Sequence, residues 1–499
     1  MIKTEWKTMI VRIRLIAAKV QIVLSYLIMK IRSICLLLIL TVSGTFCHAD
    51  ENMNSDSNQP EHEIESEGKN LLLTSDADWK NYVTTATEII VTNLSVYNFC
   101  TLILNQSWMK TNPSIMWKNL TSPWLWDTSG FLKNQAAHPY FGNMYFTAAR
   151  SNGLNFWQSF LMTAGGSFLW ENCIEAGNNS LNDFISTTFA GSVVGEILYR
   201  LGNEGARINP WLGALFNPVG SINSILTGRK LGTDKSRIHS MSFDLGGGFF
   251  TESAETVNAG THVLKNRIAP EFFFNAAVTY QDPYGHKTKE FMDQFSADIK
   301  GEISSGGYFF KADFDGEFFS VPIYINEKID SNFGASFNYD LHYSDSSFLS
   351  LNSIGAFFKQ KINMGKNNFA YGLETDFVFF GVTENIFTQT EKFLEAGTST
   401  YTFGPQLKLH AEYDSPVAGN FDLNASCEYL NSYGNTPGGK SLSGNFLVLD
   451  VDASYRHRIV GNFSLGLQTE YQKKIRTDID SANCSRDFFT ASVFAEYGF

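Results

Sequence analysis

The C-terminal half of the chain alternates apolar and polar residues with a period of two. In 487–499, Phe489, Ala491, Val493, Ala495, Tyr497 and Phe499 share one parity, and Thr490, Ser492, Phe494, Glu496 and Gly498 share the other. In 446–456, Leu447, Leu449, Val451, Ala453 and Tyr455 oppose Asp450, Asp452, Ser454 and Arg456, and 463–472 and 407–413 repeat the rhythm. Such alternation belongs to a strand with one apolar and one wet face. It predicts twelve strands, at about 241–250, 272–280, 289–303, 306–319, 333–345, 348–362, 368–382, 400–413, 420–431, 444–458, 462–475 and 487–499. One sheet this large has no second sheet to cover its apolar face, so that face must meet lipid. Closure into a barrel then satisfies the backbone groups of the edge strands, which lipid cannot do.

The expected fold is therefore α+β, a transmembrane antiparallel β-barrel of about twelve strands preceded by a helical region. With the C-terminus in the periplasm, connections 251–271, 383–399, 432–443 and 476–486 fall outside the cell, and 281–288, 363–367, 414–419 and 459–461 fall inside. Long outside and short inside is the usual barrel asymmetry. The 320–332 connection breaks it and leaves the count open by two. The inward parity collects Lys311, Asp313, Asp315, Glu317, Glu374, Asp376, Lys408, His410, Glu412, Asp422, Glu428, Asp450, Asp452, Arg456 and Glu470. A solvated lumen wall is the plain reading of these charges.

Upstream the period changes. The apolar segment 76–106 reads as one long helix, with a β-rich stretch around Glu88 to Val96 as the alternative, and 117–126 as a connection. Ser180-x-x-Asp183 is a capping box that opens a helix to about Leu201, and Gly191-x-x-x-Gly195 gives it a flat packing stripe. Residues 155–176 form another helix, with Glu171 and Glu175 one turn apart, and His138-Pro139 falls in a turn. Apolar helices with embedded acids suit neither water nor bare lipid. They are expected to plug the barrel lumen or cap its periplasmic mouth, with Arg150, Arg200 and Arg207 paired to Glu171, Glu175 and Glu196. Arg229, Lys230, Lys235 and Arg237, just before the first strand, are expected at the membrane surface.

The N-terminus reads as a leader. Met29-Lys30-Ile31-Arg32 precedes an apolar run, and Cys47-His48-Ala49 supplies a cleavage site, so 1–49 is a signal peptide with Met29 as its working start. Acidic, Ser- and Asn-rich 50–75 follows as a disordered tail. The exported chain is expected in the outer membrane of a diderm bacterium. A mean hydropathy of -0.12 is too polar for a bundle of many transmembrane helices. Forty-three Phe and 20 Tyr suit instead the aromatic girdles of a barrel. The net charge of -12 excludes a nucleic-acid partner. Beyond the leader, Cys100, Cys173, Cys427 and Cys484 have no C-x-x-C spacing, so they give no metal or redox signal and no cofactor is implied.

The densest run of motifs lies between barrel and leader: Asn134-Gln135, His138-Pro139-Tyr140-Phe141-Gly142, Ala149-Arg150-Ser151-Asn152-Gly153, Phe156-Trp157-Gln158-Ser159, Gly166-Ser167, Trp170-Glu171, Ser180-Leu181-Asn182-Asp183, Gly195-Glu196 and Tyr199-Arg200. Over about 120–230 it resembles the bacterial domain-of-unknown-function family 3943. That resemblance implies an outer-membrane protein and no established activity.

Two functions follow from these residues. The first is a barrel without covalent chemistry, serving passage, lipid handling or envelope structure. Its motif network of Asn134, Gln135, His138, Arg150, Trp170, Glu171, Glu175, Ser180, Asp183, Glu196 and Arg200 is then structural. The alternative is a lipid- or glycolipid-modifying enzyme using His138, Ser167, Glu171 and Glu175. No G-x-S-x-G elbow surrounds Ser167. Glu171 and Glu175 offer carboxylates alone, so a buried ion-pair network is preferred to a metal site. The expected partners are outer-membrane lipid and the barrel-insertion machinery, which reads the last strand ending in Phe499.

Overall fold

The computed structural model describes residues 77–499 except 128, 229–230, 234, 259–260, 286, 306, 345–346, 385–398, 434–443 and 479–481. The leader and the acidic tail lie outside the described residues, as do Arg229 and Lys230.

Twelve antiparallel strands close into one barrel: β1 (Ile238–Asn258), β2 (Thr261–Tyr280), β3 (Phe295–Ser304), β4 (Gly307–Pro322), β5 (Ile329–Ser344), β6 (Phe348–Met364), β7 (Asn367–Glu384), β8 (Ser399–Ser415), β9 (Gly419–Ser432), β10 (Gly444–Val460), β11 (Phe463–Asp478) and β12 (Ala482–Gly498). Each strand pairs with its sequence neighbours, and β1 with β12 seals the ring. The irregular 320–332 connection resolves simply: β4 runs on to Pro322 and β5 starts at Ile329. We call the end where the chain enters and leaves the barrel, at Ile238 and Gly498, the terminal end, and its opposite the far end. On β1 and β2 the outward row is bare, with Leu245 68%, Phe249 64% and Phe272 76% exposed.

Among the described residues, seven helices precede the barrel: α1 (Trp79–Asn98, continued by a π-turn to Ile103), α2 (Pro113–Thr121), α3 (His138–Ser151, after a π-turn from Lys133), α4 (Phe156–Leu169, followed by a π-turn to Ile174), α5 (Leu181–Ile208), α6 (Pro210–Phe216) and α7 (Pro218–Thr227). Their starts are written locally. Asp78, Asn112, Asn155 and Ser180 each accept a hydrogen bond from a first-turn N–H. Asn112 with Pro113 makes the beginning of 117–126 helical rather than a connection. His138-Pro139 likewise opens α3 instead of forming a turn, because proline is tolerated where no N–H partner exists. The Gly191–Gly195 stripe of α5 meets α3 backbone to backbone. A Cβ on Gly142 would stand 1.9 Å from the Thr187 carbonyl oxygen, and one on Gly195 2.8 Å from Phe146.

The helices neither plug the lumen nor cap a mouth. They lie on the outside of the barrel, against the outward rows of β4 to β8. Phe337, Tyr339, Leu341 and Tyr343 of β5 belong to the outward parity, yet each is at most 6% exposed. Phe131 stacks on Phe348 at 4.2 Å, Trp126 on Tyr401 at 4.4 Å and Phe189 on Phe379 at 5.0 Å between ring centroids. Ser350 and Asn352 of β6 are outward, polar and fully buried, and Ser350 Oγ donates to Gln135 Oε1 at 3.1 Å. Tyr339 donates its hydroxyl to the Gln135 carbonyl. This cover replaces lipid and gives Ser350 and Tyr339 the hydrogen-bond partners that lipid lacks, while the Asn352 amide is buried beneath it without a side-chain partner among the described residues.

The four long helices run along the wall in alternation. α1 starts at the terminal end, where Asn81 donates to the Asn152 carbonyl, and its last turns pack near Trp170. α3 descends from the far end, α4 climbs from Phe291 in the β2–β3 connection, and α5 descends again. At the bottom of α5, Arg200 reaches Glu290 at 3.3 Å and Glu204 accepts the Arg237 N–H at 2.9 Å. Its 28 residues give α5 a length of about 42 Å.

Candidate functional site

Charged side chains bridge the lumen from one wall to another. Lys311 of β4 reaches Asp450 of β10 at 3.2 Å, and these strands lie half the circumference apart. Lys300 bonds Glu470 at 2.6 Å, Lys408 bonds Asp315 at 2.7 Å, and Lys474 bonds Glu384 at 2.6 Å, each across four strand positions of the ring. Toward the far end, Leu349, Leu351, Val378, Leu430, Phe446 and Val448 pack together on the inward parity as an apolar layer. A partly open pocket lined in part by Glu271, Glu302, Glu470 and Gln472 has room for a few water molecules.

The sequence-predicted lumen residues take the inward parity. Asp313 contacts His342 at 3.0 Å, and Asp376 accepts from Ser336 at 3.3 Å. Asp452 stands in register with Glu470, and Arg456 lies 3.4 Å from Glu496. Near the terminal end His410, Glu412 and Asp422 gather ligand atoms, but they remain partly exposed and Arg456 stands 3.9 Å from Glu412.

Within the bundle, the motif residues separate into two buried clusters. The lower one joins α3 and α5. Arg150 holds Glu196 through two bonds, at 2.7 and 3.0 Å, and Arg200 adds a third at 2.7 Å from one turn further along α5. Glu196 is fully buried, so two guanidinium groups supply the charge and donors that burial removes. Glu290, from the barrel's β2–β3 connection, completes it at 3.3 Å from Arg200.

The upper cluster lies at the far end, beneath α2. His138 Nε2 sits 3.4 Å from Asp183 Oδ2, and Thr187 Oγ1 lies 3.1 Å from His138 Nδ1. Glu171 Oε2 accepts the Ser180 N–H at 2.8 Å, and Asn182 Nδ2 donates to Asp183 Oδ1 at 2.8 Å. Glu175 receives Lys133 at 3.5 Å and the Trp170 indole N–H at 3.3 Å. Asn119 of α2 donates to the Glu171 and Glu175 carbonyls, at 3.4 and 3.2 Å. The expected arginine partners of Glu171 and Glu175 are elsewhere: Arg150 and Arg200 both go to Glu196, and Arg207 pairs with Glu204 at 3.3 Å. Glu171 falls on a π-turn whose extra residue shifts its side chain toward Ser180 rather than along a straight helix face.

Asn134 and Gln135 serve the seam, Asn134 through its carbonyl to Ser186 Oγ at 2.6 Å and Gln135 through the wall contacts above. Thr187 and Lys133 escaped the sequence reading. Thr187 stands four residues after Asp183 on the same helix face, and that spacing could have revealed it. Thr187, His138 and Asp183 form a hydroxyl–imidazole–carboxylate chain, but all three are buried. The Ser167 hydroxyl is buried and has no hydrogen-bond partner among the described residues.

No curated protein matches the chain. Among solved structures, the chain is distantly similar to the NanC porin, at 8% identity over 48% of this chain and 98% of that one with a TM-score of 0.21. A FadL homologue from Pseudomonas aeruginosa aligns at 8% identity over 52% of this chain and 90% of that one, TM-score 0.23. The outer membrane protease OmpT from Escherichia coli aligns at 10% identity over 53% of this chain and 99% of that one, TM-score 0.17. At such distances none of them says what this chain binds or does. One match is specific: residues 123–210, which hold most of the two buried clusters, match the family model of a domain of unknown function, DUF3943.

Proposed function

We propose that this chain is an outer-membrane barrel with a sealed lumen, working in envelope structure or lipid handling rather than passage. Its working surface is the helical bundle on the barrel wall. The observation that carries this reading is the Lys311–Asp450 bridge between strands half the circumference apart, backed by the apolar layer at the far end. A channel keeps its axis wet, whereas here charged pairs and aliphatic side chains meet across it.

With the terminal end in the periplasm, α1 enters the bundle from that side and α5 returns to it, so four helices cross beside the barrel. Trp79–Ile103 is long and apolar enough to cross a membrane. Planar-bilayer recording tests the sealed lumen. The native protein is expected to give no steady open-pore current, and a Lys311→Ala/Asp450→Ala variant to flicker open. A sustained current from the native protein overturns the reading.

A further inference from the structure

The two bundle clusters differ in charge balance. In the lower one, two guanidinium groups enclose Glu196, with Glu290 at the edge. In the upper one, buried Glu171 and Asp183 and half-buried Asp127 and Glu175 share a single lysine, Lys133, which reaches Glu175 at 3.5 Å, and His138, which reaches Asp183 at 3.4 Å. Buried carboxylates in that excess are neutralised either by protons or by a further cation.

The geometry shows where it fits. His138, Glu171 and Asp183 are buried, and each brings a ligand atom within 4.8 Å of the others. Each is held by its other atom: Glu171 Oε2 by the Ser180 N–H, Asp183 Oδ1 by Asn182, and His138 Nδ1 by Thr187. His138 Nε2, Asp183 Oδ2 and Glu171 Oε1 remain. Glu171 Oε1 has no hydrogen-bond partner among the described residues, in a side chain only 1% exposed. A carboxylate oxygen left unmet at that depth is costly. Outer bonds that fix the far atom of every ligand are what surrounds protein-bound metals.

We propose that His138, Glu171 and Asp183 bind one divalent first-row transition-metal ion, for which one imidazole and two carboxylates make Zn²⁺ the favoured occupant. The ion is structural. It ties the start of α3, the π-turn after α4 and the first turn of α5 into one knot, and α2 lies over it as a lid. This assignment stands apart from the sealed-lumen reading, since the ligands all belong to the bundle.

The test uses the full chain in detergent, with barrel folding checked by heat-modifiable gel mobility. Protein refolded in chelator, then freed of it, is titrated with Zn²⁺ and the bound metal counted. One equivalent per chain is expected, with affinity falling at least about tenfold in Glu171→Gln and in His138→Gln. Co²⁺ provides a second measurement on the unmutated chain: a visible d–d absorption band that Zn²⁺ abolishes, which needs no variant to fold. Folded native protein that takes up neither ion overturns the proposal, leaving a plain His138–Asp183 hydrogen bond. Uptake undiminished in both folded variants overturns it too.

Discussion

At the scale of single residues, the bundle depends on charges placed where water cannot reach them. Glu196 satisfies two arginines at once, so its removal leaves both guanidinium groups buried without a counter-charge. Breaking such an arrangement from one side costs about 3–5 kcal/mol. Glu196→Gln is therefore expected to lower the thermal midpoint of the helical signal at 222 nm while the barrel keeps its heat-modifiable mobility. An unchanged midpoint would show that Glu290 and solvent already carry the two arginines. Much of this cluster was legible beforehand, because Glu196 and Arg200 are one turn apart and helical spacing predicts their contact. Arg150 was legible only as a type. Its reach to Glu196 depends on the crossing of α3 over α5, which no local pattern encodes.

That crossing belongs to the scale of elements. Gly191 and Gly195 announced a close-packed face on α5, but the residues they receive, Gly142 and Phe146, carry no such signature in their own helix. Gly142→Ala forces a methyl group against the Thr187 carbonyl and is expected to destabilise the bundle by about 1–3 kcal/mol. Increased protease cleavage within 123–210, with the barrel still resistant, is the measurement. A variant as resistant as the native protein would mean that the two helices separate freely. The strands were legible by their period-two alternation except at the β1–β2 hairpin, where 251–271 was expected as a connection and instead continues both strands. The position of the helices was not, because a wall row such as Phe337, Tyr339, Leu341 and Tyr343 reads the same against lipid as against helices. One signal was present in β6: Leu349 and Leu351 point inward while Ser350 and Asn352 point outward, an inversion of the usual pattern. Polar groups on a lipid-facing row require a cover, and that cover is the bundle.

At the scale of the whole molecule, barrel and bundle are expected to face the bilayer together. Outward residues of α4 such as Leu161, 68% exposed, are as bare as the open wall of β1 and β2. A nitroxide at position 161 is expected to relax with oxygen, which partitions into lipid, and to be shielded from a water-soluble nickel complex. A label at Tyr339 is expected to be shielded from both. Nickel access at 161 would place that helix in water and confine the membrane reading to the barrel. The low mean hydropathy concealed this arrangement, because the charged interior of the barrel and the buried clusters of the bundle dilute the apolar surfaces.

The inverted stretch of β6 also constrains how the molecule is made. A sheet whose outer side carries Ser350 cannot enter oil bare without stranding the hydroxyl that Gln135 meets in the folded molecule. Helices and sheet must therefore arrive already in each other's company. On the proposed reading, insertion into the membrane is expected to be one coupled event rather than insertion followed by docking.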